Sequence, residues 1–153
     1  QERWGVNNKP IICLKFRTMQ IANSSEAFEQ TSRDDPRVTR LGKFLRKFSI
    51  DEFPQFWNVL KGEMSVVGPR PHPTPMNLES MKSVDNYLKR HVVKPGITGW
   101  AQINGYRGEV RTREEMEQRV SFDLYYIHRW SFTLDLQIII QTIVKMLRDQ
   151  DAY

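Results

Sequence analysis

The chain has 153 residues, 39% of them hydrophobic and 27% charged, which is typical of one globular domain and excludes a disordered chain. Its net charge of +5 favours an anionic partner such as nucleic acid, a phosphorylated metabolite or an anionic membrane surface. The single cysteine, Cys13, excludes an internal disulfide and suits a reducing compartment, and no segment approaches the ~20 apolar residues that span a bilayer.

The N-terminal segment predicts a β-hairpin over residues 1–19. Turn-forming residues at 5–10 precede a run rich in β-forming residues at 11–16. Lys15 and Arg17 alternate along the predicted strand, so both would lie on one face of it. The polar residues 20–36 predict a surface loop with a short helix.

Two amphipathic helices are predicted next, because apolar residues recur at helical spacing. The first, at 38–48, is basic, and the second begins near Asp51 and ends at Lys61-Gly62. Their apolar faces consist of Val38, Leu41, Leu45 and Phe48, and of Phe53, Phe56, Trp57 and Leu60. Because the second stripe starts after Glu52, it predicts that the carboxylates of Asp51 and Glu52 lie off the buried face.

The second half of the chain predicts mainly helices. In chain order the pattern predicts an extended piece at 66–71, a helix at 76–92, a short strand at 97–104, a tight loop at 105–108 and helices at 112–129 and 134–148. The last helix is apolar around most of its circumference, so it is either a core helix or an interfacial helix lying on a bilayer. The expected fold class is α+β: a mostly helical single domain with an N-terminal β-hairpin and a few short strands.

The adjacent carboxylates Asp51 and Glu52 are the strongest candidates for chemistry. One carboxylate can attack a phosphorus or carbon centre while its neighbour holds a metal ion. The arginines and lysines nearby in sequence lower carboxylate pKa values and attract anions. The alternative is structural, because Ser49-x-x-Glu52 matches a capping box and acidic residues are common in the first turn of a helix.

Cations near this pair are candidates for holding phosphate. Arg70 lies between Pro69 and Pro71, which would pre-organise a bidentate clamp, although an ordinary exposed turn explains the same residues equally well. Arg107 lies in a loop flanked by glycines, where backbone and a cation could approach a ligand. The histidines show no zinc-ligand spacing, and the sequence contains no dinucleotide-binding or P-loop motif.

Five runs of residues, taken together and in this order, resemble the bacterial sugar transferases, which are the monotopic polyprenyl-phosphate phosphoglycosyl transferases. The runs are Lys15-Phe16-Arg17-Thr18-Met19, Arg37-x-Thr39-Arg40-x-Gly42-x-x-Leu45-Arg46, Ser49-Ile50-Asp51-Glu52-x-Pro54-Gln55, Asn58-Val59-Leu60-Lys61-Gly62-x-Met64-Ser65-x-Val67-Gly68-Pro69-Arg70-Pro71 and Lys94-Pro95-Gly96-Ile97-Thr98-Gly99-Trp100-Ala101-Gln102. Three more are similar to the branch that loads glucose or galactose phosphate onto undecaprenyl phosphate. They are Gly105-Tyr106-Arg107-Gly108-Glu109, Asp123-Leu124-x-Tyr126-Ile127 and Ala152-Tyr153.

The resemblance implies transfer of a sugar-1-phosphate from a UDP-sugar to undecaprenyl phosphate, as the first membrane step of exopolysaccharide, capsule or O-antigen synthesis. The reaction would pass through a covalent aspartyl-phosphosugar intermediate and release UMP. Asp51 is the implied nucleophile, and Glu52 is the implied ligand of Mg²⁺. The expected phosphate- or nucleotide-binding residues are Lys15, Arg17, Arg70 and Arg107.

The same resemblance implies a location and partners. Residues 1–153 would form the catalytic domain, and the membrane helix or helices of the family would precede Gln1. The expected partners are a UDP-sugar, polyprenyl phosphate and the surface of the bacterial inner membrane at its cytoplasmic face, without nucleic acid. Assembly as a homodimer stays open.

Two alternatives from other classes also stay open. A basic nucleic-acid-binding module would explain the basic helix and the net charge, and it would bind in a salt-dependent way without needing Asp51. A purely structural interaction domain is the other alternative.

Overall fold

The computed structural model describes residues 1–20, 31 and 35–148. The described part is α+β, as predicted, and contains six α-helices and four short strands. In chain order these are β1 (Glu2–Trp4), β2 (Pro10–Ile12), α1 (Arg40–Lys47), α2 (Gln55–Leu60), β3 (Ser65–Val67), α3 (Thr74–Ser83), β4 (Gly96–Thr98), α4 (Trp100–Ile103), α5 (Arg113–Arg129) and α6 (Phe132–Arg148). Most of the predicted loop at 20–36, and the Ala152-Tyr153 run, lie outside the described residues.

The predicted N-terminal hairpin is confirmed, but its second strand is shorter than expected. β1 and β2 pair antiparallel, with Glu2 opposite Ile12. Beyond Ile12 the backbone bonds elsewhere: the Leu14 amide donates to Asn58 Oδ1 at 3.0 Å, and the Phe16 amide donates to the Asp51 carbonyl at 3.0 Å. The prediction that Lys15 and Arg17 share one face of a strand is therefore wrong, because this segment is fastened to the start of α2 instead.

The apolar faces of α1 and α2 point outward, which is opposite to the usual arrangement. Gln55 and Asn58 of α2 are each only 1% exposed, whereas Leu60 is 78% exposed. The prediction that the carboxylates lie off the buried face is wrong, because Asp51 and Glu52 are both buried. We define the exposed apolar face as Leu41, Phe44, Phe48, Phe53, Phe56, Trp57 and Leu60.

Contacts with the N-terminal segment explain this inversion. Asn58 Nδ2 donates to the Ile12 carbonyl at 2.8 Å, so the polar side of α2 must face inward. On α1, Arg46 Nε donates to Thr18 Oγ1 at 2.8 Å. A Cβ on Gly42 would lie 2.1 Å from the Thr18 carbonyl oxygen, so only glycine allows this approach. The polar sides of both helices therefore contact residues 12–18, which leaves their apolar sides facing outward.

A two-stranded parallel sheet positions the Arg70 loop. β3 pairs with β4, with Ser65 opposite Gly96 and Val67 opposite Thr98. A Cβ on Gly96 would lie 2.1 Å from the Gly68 amide nitrogen, so the two backbones can touch only because this residue is glycine. The close approach fixes the Gly68-Pro69-Arg70 turn at the end of β3.

Two predicted elements of the second half have different bounds. The helix predicted at 76–92 is divided, because α3 ends at Ser83 and Asn86 adopts a left-handed conformation with φ of 60° before a 3₁₀ segment at Tyr87–Val92. The strand predicted at 97–104 ends at Thr98, and α4 follows it. The predicted helix at 112–129 is confirmed as α5, with Thr112 Oγ1 accepting from the Glu115 amide.

Two clusters of buried side chains form the core, and α5 contributes to both. One cluster contains Met116 and Val120 of α5, and the other contains Tyr126 of α5 and Ile138 of α6. Ile138 is fully buried, which supports the core-helix interpretation of α6, yet Leu136, Ile140 and Ile143 on the same helix are exposed. Within the described residues, no helix is both long and apolar enough to cross a membrane.

Candidate active site

Asp51 and Glu52 lie in a tight turn rather than in the first turn of an α-helix. Ser49 adopts a left-handed conformation with φ of 53°, and a 3₁₀ turn covers Ile50–Glu52 before α2 begins at Gln55. No side chain caps this turn. The capping-box interpretation of Ser49 and Glu52 is therefore wrong, because Glu52 points towards two cations instead.

Glu52 is clamped by cations from two distant segments. Its Oε1 accepts from Lys15 Nζ at 2.7 Å and from Arg70 Nη2 at 2.6 Å, while Oε2 lies 3.3 Å from Arg70 Nη1. Burial alone would raise the pKa of Glu52, but the charges of Arg70 and Lys15 and the hydrogen bond from Arg70 hold that pKa well below its usual range. Glu52 is therefore ionised at neutral pH.

Asp51 has the opposite environment, although it is the adjacent residue. Among the described residues, no donor forms a hydrogen bond with its carboxylate. Burial raises the pKa of Asp51, and the nearby Lys15 charge only partly offsets this effect. A buried carboxylate that accepts no hydrogen bond is less stabilised than its neighbour and keeps its lone pairs available for attack.

All six residues predicted for the site line one cavity of about 550 Å³, which we call the Asp51 cleft. They are Lys15, Arg17, Asp51, Glu52, Arg70 and Arg107. Arg17 is exposed there, and Arg107 donates from Nη2 to Ser49 Oγ at 2.7 Å. The structure thus brings the predicted residues together, while their individual roles stay predictions.

A buried ion pair behind the cleft supports Arg70 and was missed by the sequence analysis. Arg90 donates to Asp123 Oδ2 from Nε at 3.0 Å and from Nη2 at 2.7 Å, and both side chains are buried. Arg90 Nη2 also donates to the Arg70 carbonyl at 2.7 Å. Breaking such a buried pair costs about 3–5 kcal/mol, so the Arg70 backbone is held firmly.

His72 joins this network from the Arg70 loop. Its Nδ1 lies 3.0 Å from Arg90 Nη1 and 2.7 Å from Tyr87 Oη, and Tyr87 Oη donates to Asn77 Oδ1. Burial and the charges of Arg90 and Arg119 keep the pKa of His72 well below its usual value, so the ring is neutral. Asp123 lies in a run that supports the family resemblance, but no local pattern links it to Arg90.

A metal ion would need ligands from a bound substrate. Among residues 1–20, 31 and 35–148, no group of three or more histidine, cysteine, aspartate or glutamate side chains could hold a metal. Mg²⁺ is often bound by one or two carboxylates together with phosphate oxygens and water. Glu52 Oε2, which lies farther from Arg70 than Oε1 does, fits that limited role.

The two carboxylates should affect stability in opposite directions. Glu52→Gln should lower the free energy of unfolding at pH 7 by about 3 kcal/mol, because it removes the buried carboxylate that accepts from Lys15 and Arg70. Asp51→Asn should not lower it, because a raised folded-state pKa means that ionisation above that pKa destabilises the fold. Urea unfolding of both variants beside the wild type measures this difference.

As pH falls from the ordinary carboxylate pKa towards the lowered pKa of folded Glu52, the wild type should progressively lose the Glu52 contribution, whereas Glu52→Gln has no such contribution to lose. Equal stabilities of the two variants would contradict the assignment of the ion clamp to Glu52 alone.

The sequence matches a known family over most of its length. The family profile described as bacterial sugar transferase matches residues 1–149. The chain is 50% identical over 153 residues to the UDP-glucose:undecaprenyl-phosphate glucose-1-phosphate transferase of Escherichia coli (strain K12), covering 100% of this chain and 33% of that protein. It is 46% identical over 154 residues to the protein of the same name from Xanthomonas campestris pv. campestris, covering 100% and 32%.

A relative with a different sugar in its name is also similar. The UDP-N-acetylgalactosamine-undecaprenyl-phosphate N-acetylgalactosaminephosphotransferase of Aeromonas hydrophila is 42% identical over 149 residues, covering 96% of this chain and 34% of that protein. The chain thus spans about a third of the length of these relatives. With the family profile matched over residues 1–149, the chain belongs to the bacterial sugar transferase family.

Proposed function

We propose that the chain transfers a sugar-1-phosphate from a UDP-sugar to undecaprenyl phosphate through a covalent phosphosugar intermediate on Asp51. The observation that carries this proposal is the pair of unlike carboxylates in one cationic cleft: Asp51 accepts no hydrogen bond from the described residues, and Glu52 is held by Lys15 and Arg70. The names of the matched relatives, each of which pairs a UDP-sugar with undecaprenyl phosphate, support the same reaction.

The first half-reaction would use Asp51 as the nucleophile. An Asp51 Oδ attacks the sugar-bearing phosphorus of the donor, and the bond from that phosphorus to the bridging oxygen breaks, so the bridging oxygen leaves as part of UMP. UMP leaves with that bond's electron pair, and the sugar phosphate stays on Asp51 as an acyl phosphate. Lys15, Arg70 and Arg107 face this cleft, where their charges would stabilise the negative charge that develops on the phosphoryl oxygens.

The second half-reaction would return Asp51 to its starting state. A phosphate oxygen of the polyprenyl phosphate attacks the phosphorus of the acyl phosphate, and the bond from that phosphorus to Asp51 breaks. The products are a polyprenyl diphosphate sugar and a free Asp51 carboxylate. Splitting one displacement into two lets the same cationic cleft act on both phosphoryl transfers.

The proposed reaction includes Mg²⁺, which would bind together with the phosphates of the donor. Glu52 Oε2 would provide the protein ligand, and the diphosphate oxygens and water would complete the coordination. When bound, the ion would supply charge neutralisation on the diphosphate. Lys15 and Arg70 hold the other Glu52 oxygen in place.

The exposed apolar face of α1 and α2 would lie on the membrane that carries the acceptor. Large exposed apolar patches mark interaction surfaces, and this one carries Trp57 and four phenylalanines. Lys43 and Lys47 lie on α1, where they would meet anionic headgroups. Since the turn with Asp51 connects these two helices, the cleft would sit at the cytoplasmic membrane surface.

The nucleic-acid-binding alternative gains no support. The matched relatives named above are transferases. Within the basic helix, Arg46 faces inward to bond Thr18, so this cation does not contribute to an outward nucleic-acid surface.

The covalent mechanism predicts isotope exchange without an acceptor. Wild-type protein should incorporate labelled UMP into UDP-sugar when polyprenyl phosphate is absent, because the first half-reaction is reversible. Asp51→Asn should show no exchange above background while its unfolding curve remains cooperative. Exchange by Asp51→Asn at the wild-type rate would contradict the nucleophile assignment.

The metal role predicts an altered Mg²⁺ dependence in Glu52→Gln. The Mg²⁺ concentration that gives half-maximal UMP release should rise about ten-fold or more, because a hard cation prefers a charged oxygen ligand. Glu79→Gln, which removes a carboxylate from the exposed side of α3, serves as a control for the loss of one negative charge. An unchanged titration in Glu52→Gln would remove Glu52 from the metal site.

If the exposed apolar face contacts the membrane, a charge placed on that face should weaken binding to lipid vesicles, and the same change elsewhere should not. Leu60→Glu should reduce flotation with vesicles containing anionic lipid, because it places a charge on the exposed apolar face. Leu78→Glu, a change of the same kind at an exposed leucine of α3, should leave flotation unchanged. Equal losses in both variants would show that flotation reports general hydrophobicity or unfolding.

A further inference from the structure

A second cavity of about 640 Å³ adjoins the Asp51 cleft. The two cavities share Thr31, Glu52, Arg107, Gly108 and Glu109 in their walls. The proposed chemistry places the donor phosphates in the Asp51 cleft and assigns no role to the second cavity. We call it the apolar cavity.

The walls of this cavity are mainly hydrophobic. Its apolar lining residues include Phe53, Phe56, Ile103, Ile139, Ile143 and Met146. Phe53, Phe56 and Ile143 are about half exposed, so the cavity opens onto the surface that carries the apolar side of α2. One end of the cavity is therefore apolar and open, and the other end is the wall shared with the Asp51 cleft.

Three cations in the lining of the apolar cavity form no ion pair with a described carboxylate. Glu52 is already paired with Lys15 and Arg70, and Glu109 pairs with Arg111 at 3.2 Å. The third carboxylate of the lining, Glu115, accepts from the Arg111 backbone amide at 2.7 Å. Lys47, Arg107 and Lys145 also line the cavity, and no carboxylate among the described residues forms an ion pair with them.

Arg107 has an unused donor at the shared wall. Its Nη2 bonds Ser49 Oγ, but its Nε is buried and has no hydrogen-bond partner in the described part of the chain. An uncompensated buried donor favours an anionic ligand at this position. Arg107 borders both cavities, so an anion held there would face Asp51.

We infer that the apolar cavity holds the isoprene units next to the phosphate of the acceptor, with that phosphate at Arg107. This inference rests on the proposed function. An amphiphile with an anionic head and a branched hydrocarbon tail matches a site with Arg107 at the wall shared with the Asp51 cleft and apolar walls towards the surface. A volume of about 640 Å³ suits a drug-sized group, so only the first units fit and the remaining chain stays in the bilayer.

A nucleoside would match the cavity less well. The hydroxyls of Thr98 and Thr142 in its wall are 2.7 Å apart and bond each other, and Thr142 also donates to the Ile138 carbonyl. Gln102 Oε1 is a buried acceptor without a partner among the described residues, but the polar edges of a uracil and a ribose need several partners.

Two isoleucines of α6 provide a matched pair of variants. Ile143 and Ile140 are both 53% exposed and lie three residues apart. Only Ile143 lines the cavity. Ile143→Ser and Ile140→Ser should change overall surface hydrophobicity equally, and therefore any difference between them reports the cavity.

The experiment measures the purified protein in detergent with a short, water-soluble prenyl phosphate as acceptor. Ile143→Ser should raise the KM for this acceptor about ten-fold, the loss expected when an aliphatic side chain no longer contacts the tail. Its KM for the UDP-sugar and its acceptor-free exchange of UMP into UDP-sugar should match the wild type. Ile140→Ser should keep the wild-type KM for the short acceptor.

Three results would overturn the inference. Equal rises in acceptor KM for both variants would assign the effect to general surface hydrophobicity. A rise in the KM for the UDP-sugar in Ile143→Ser would place the donor in this cavity, with Gln102 as a partner of the nucleoside. An unchanged acceptor KM would leave the cavity without a role in binding.

Failure of the proposed function itself gives a distinct result. In that case the wild type shows no acceptor-free exchange, whatever the two serine variants do.

Discussion

The ion clamp on Glu52 is the interaction on which the rest of the site depends. One carboxylate oxygen joins Lys15, from the segment after the hairpin, to Arg70, from the loop after β3. The clamp therefore closes a cleft from three parts of the chain that are far apart in sequence. Because Glu52 takes both cations, its neighbour Asp51 is left without a hydrogen bond from the described residues. The unlike environments of two adjacent carboxylates follow from this single arrangement.

A buried cluster of charges is stable only when further hydrogen bonds and ion pairs fix its members in place. The Arg90–Asp123 pair does this by bonding the Arg70 carbonyl from the core side. The parallel pairing of β3 and β4, with glycines in contact, fixes the same loop from its other end. Arg70 is thereby oriented before any ligand binds, which reduces the ordering cost of holding a phosphate.

Local sequence patterns correctly predicted α5 and the N-terminal hairpin. The capping box Thr112-x-x-Glu115 predicted the start of α5, and the turn-forming residues at 5–10 predicted the hairpin. Periodicity also found α1 and α2 but could not say which side meets the protein, because bonds from Asn58 and Arg46 to residues 12–18 decide that. The six site residues came from motifs and family resemblance, whereas Arg90 meets Asp123 across 33 positions, a contact that no local pattern encodes.

Mass spectrometry of the protein incubated with UDP-glucose and Mg²⁺, without an acceptor, tests the central claim most directly. The account predicts a phosphohexose adduct on the peptide that contains Asp51, located at Asp51 by fragmentation. Hydroxylamine should release this adduct, because an acyl phosphate is labile to that nucleophile, and adding a prenyl phosphate should discharge it. An adduct on Glu52 or on any other residue, or turnover to product without any adduct under quenched conditions, would contradict the account.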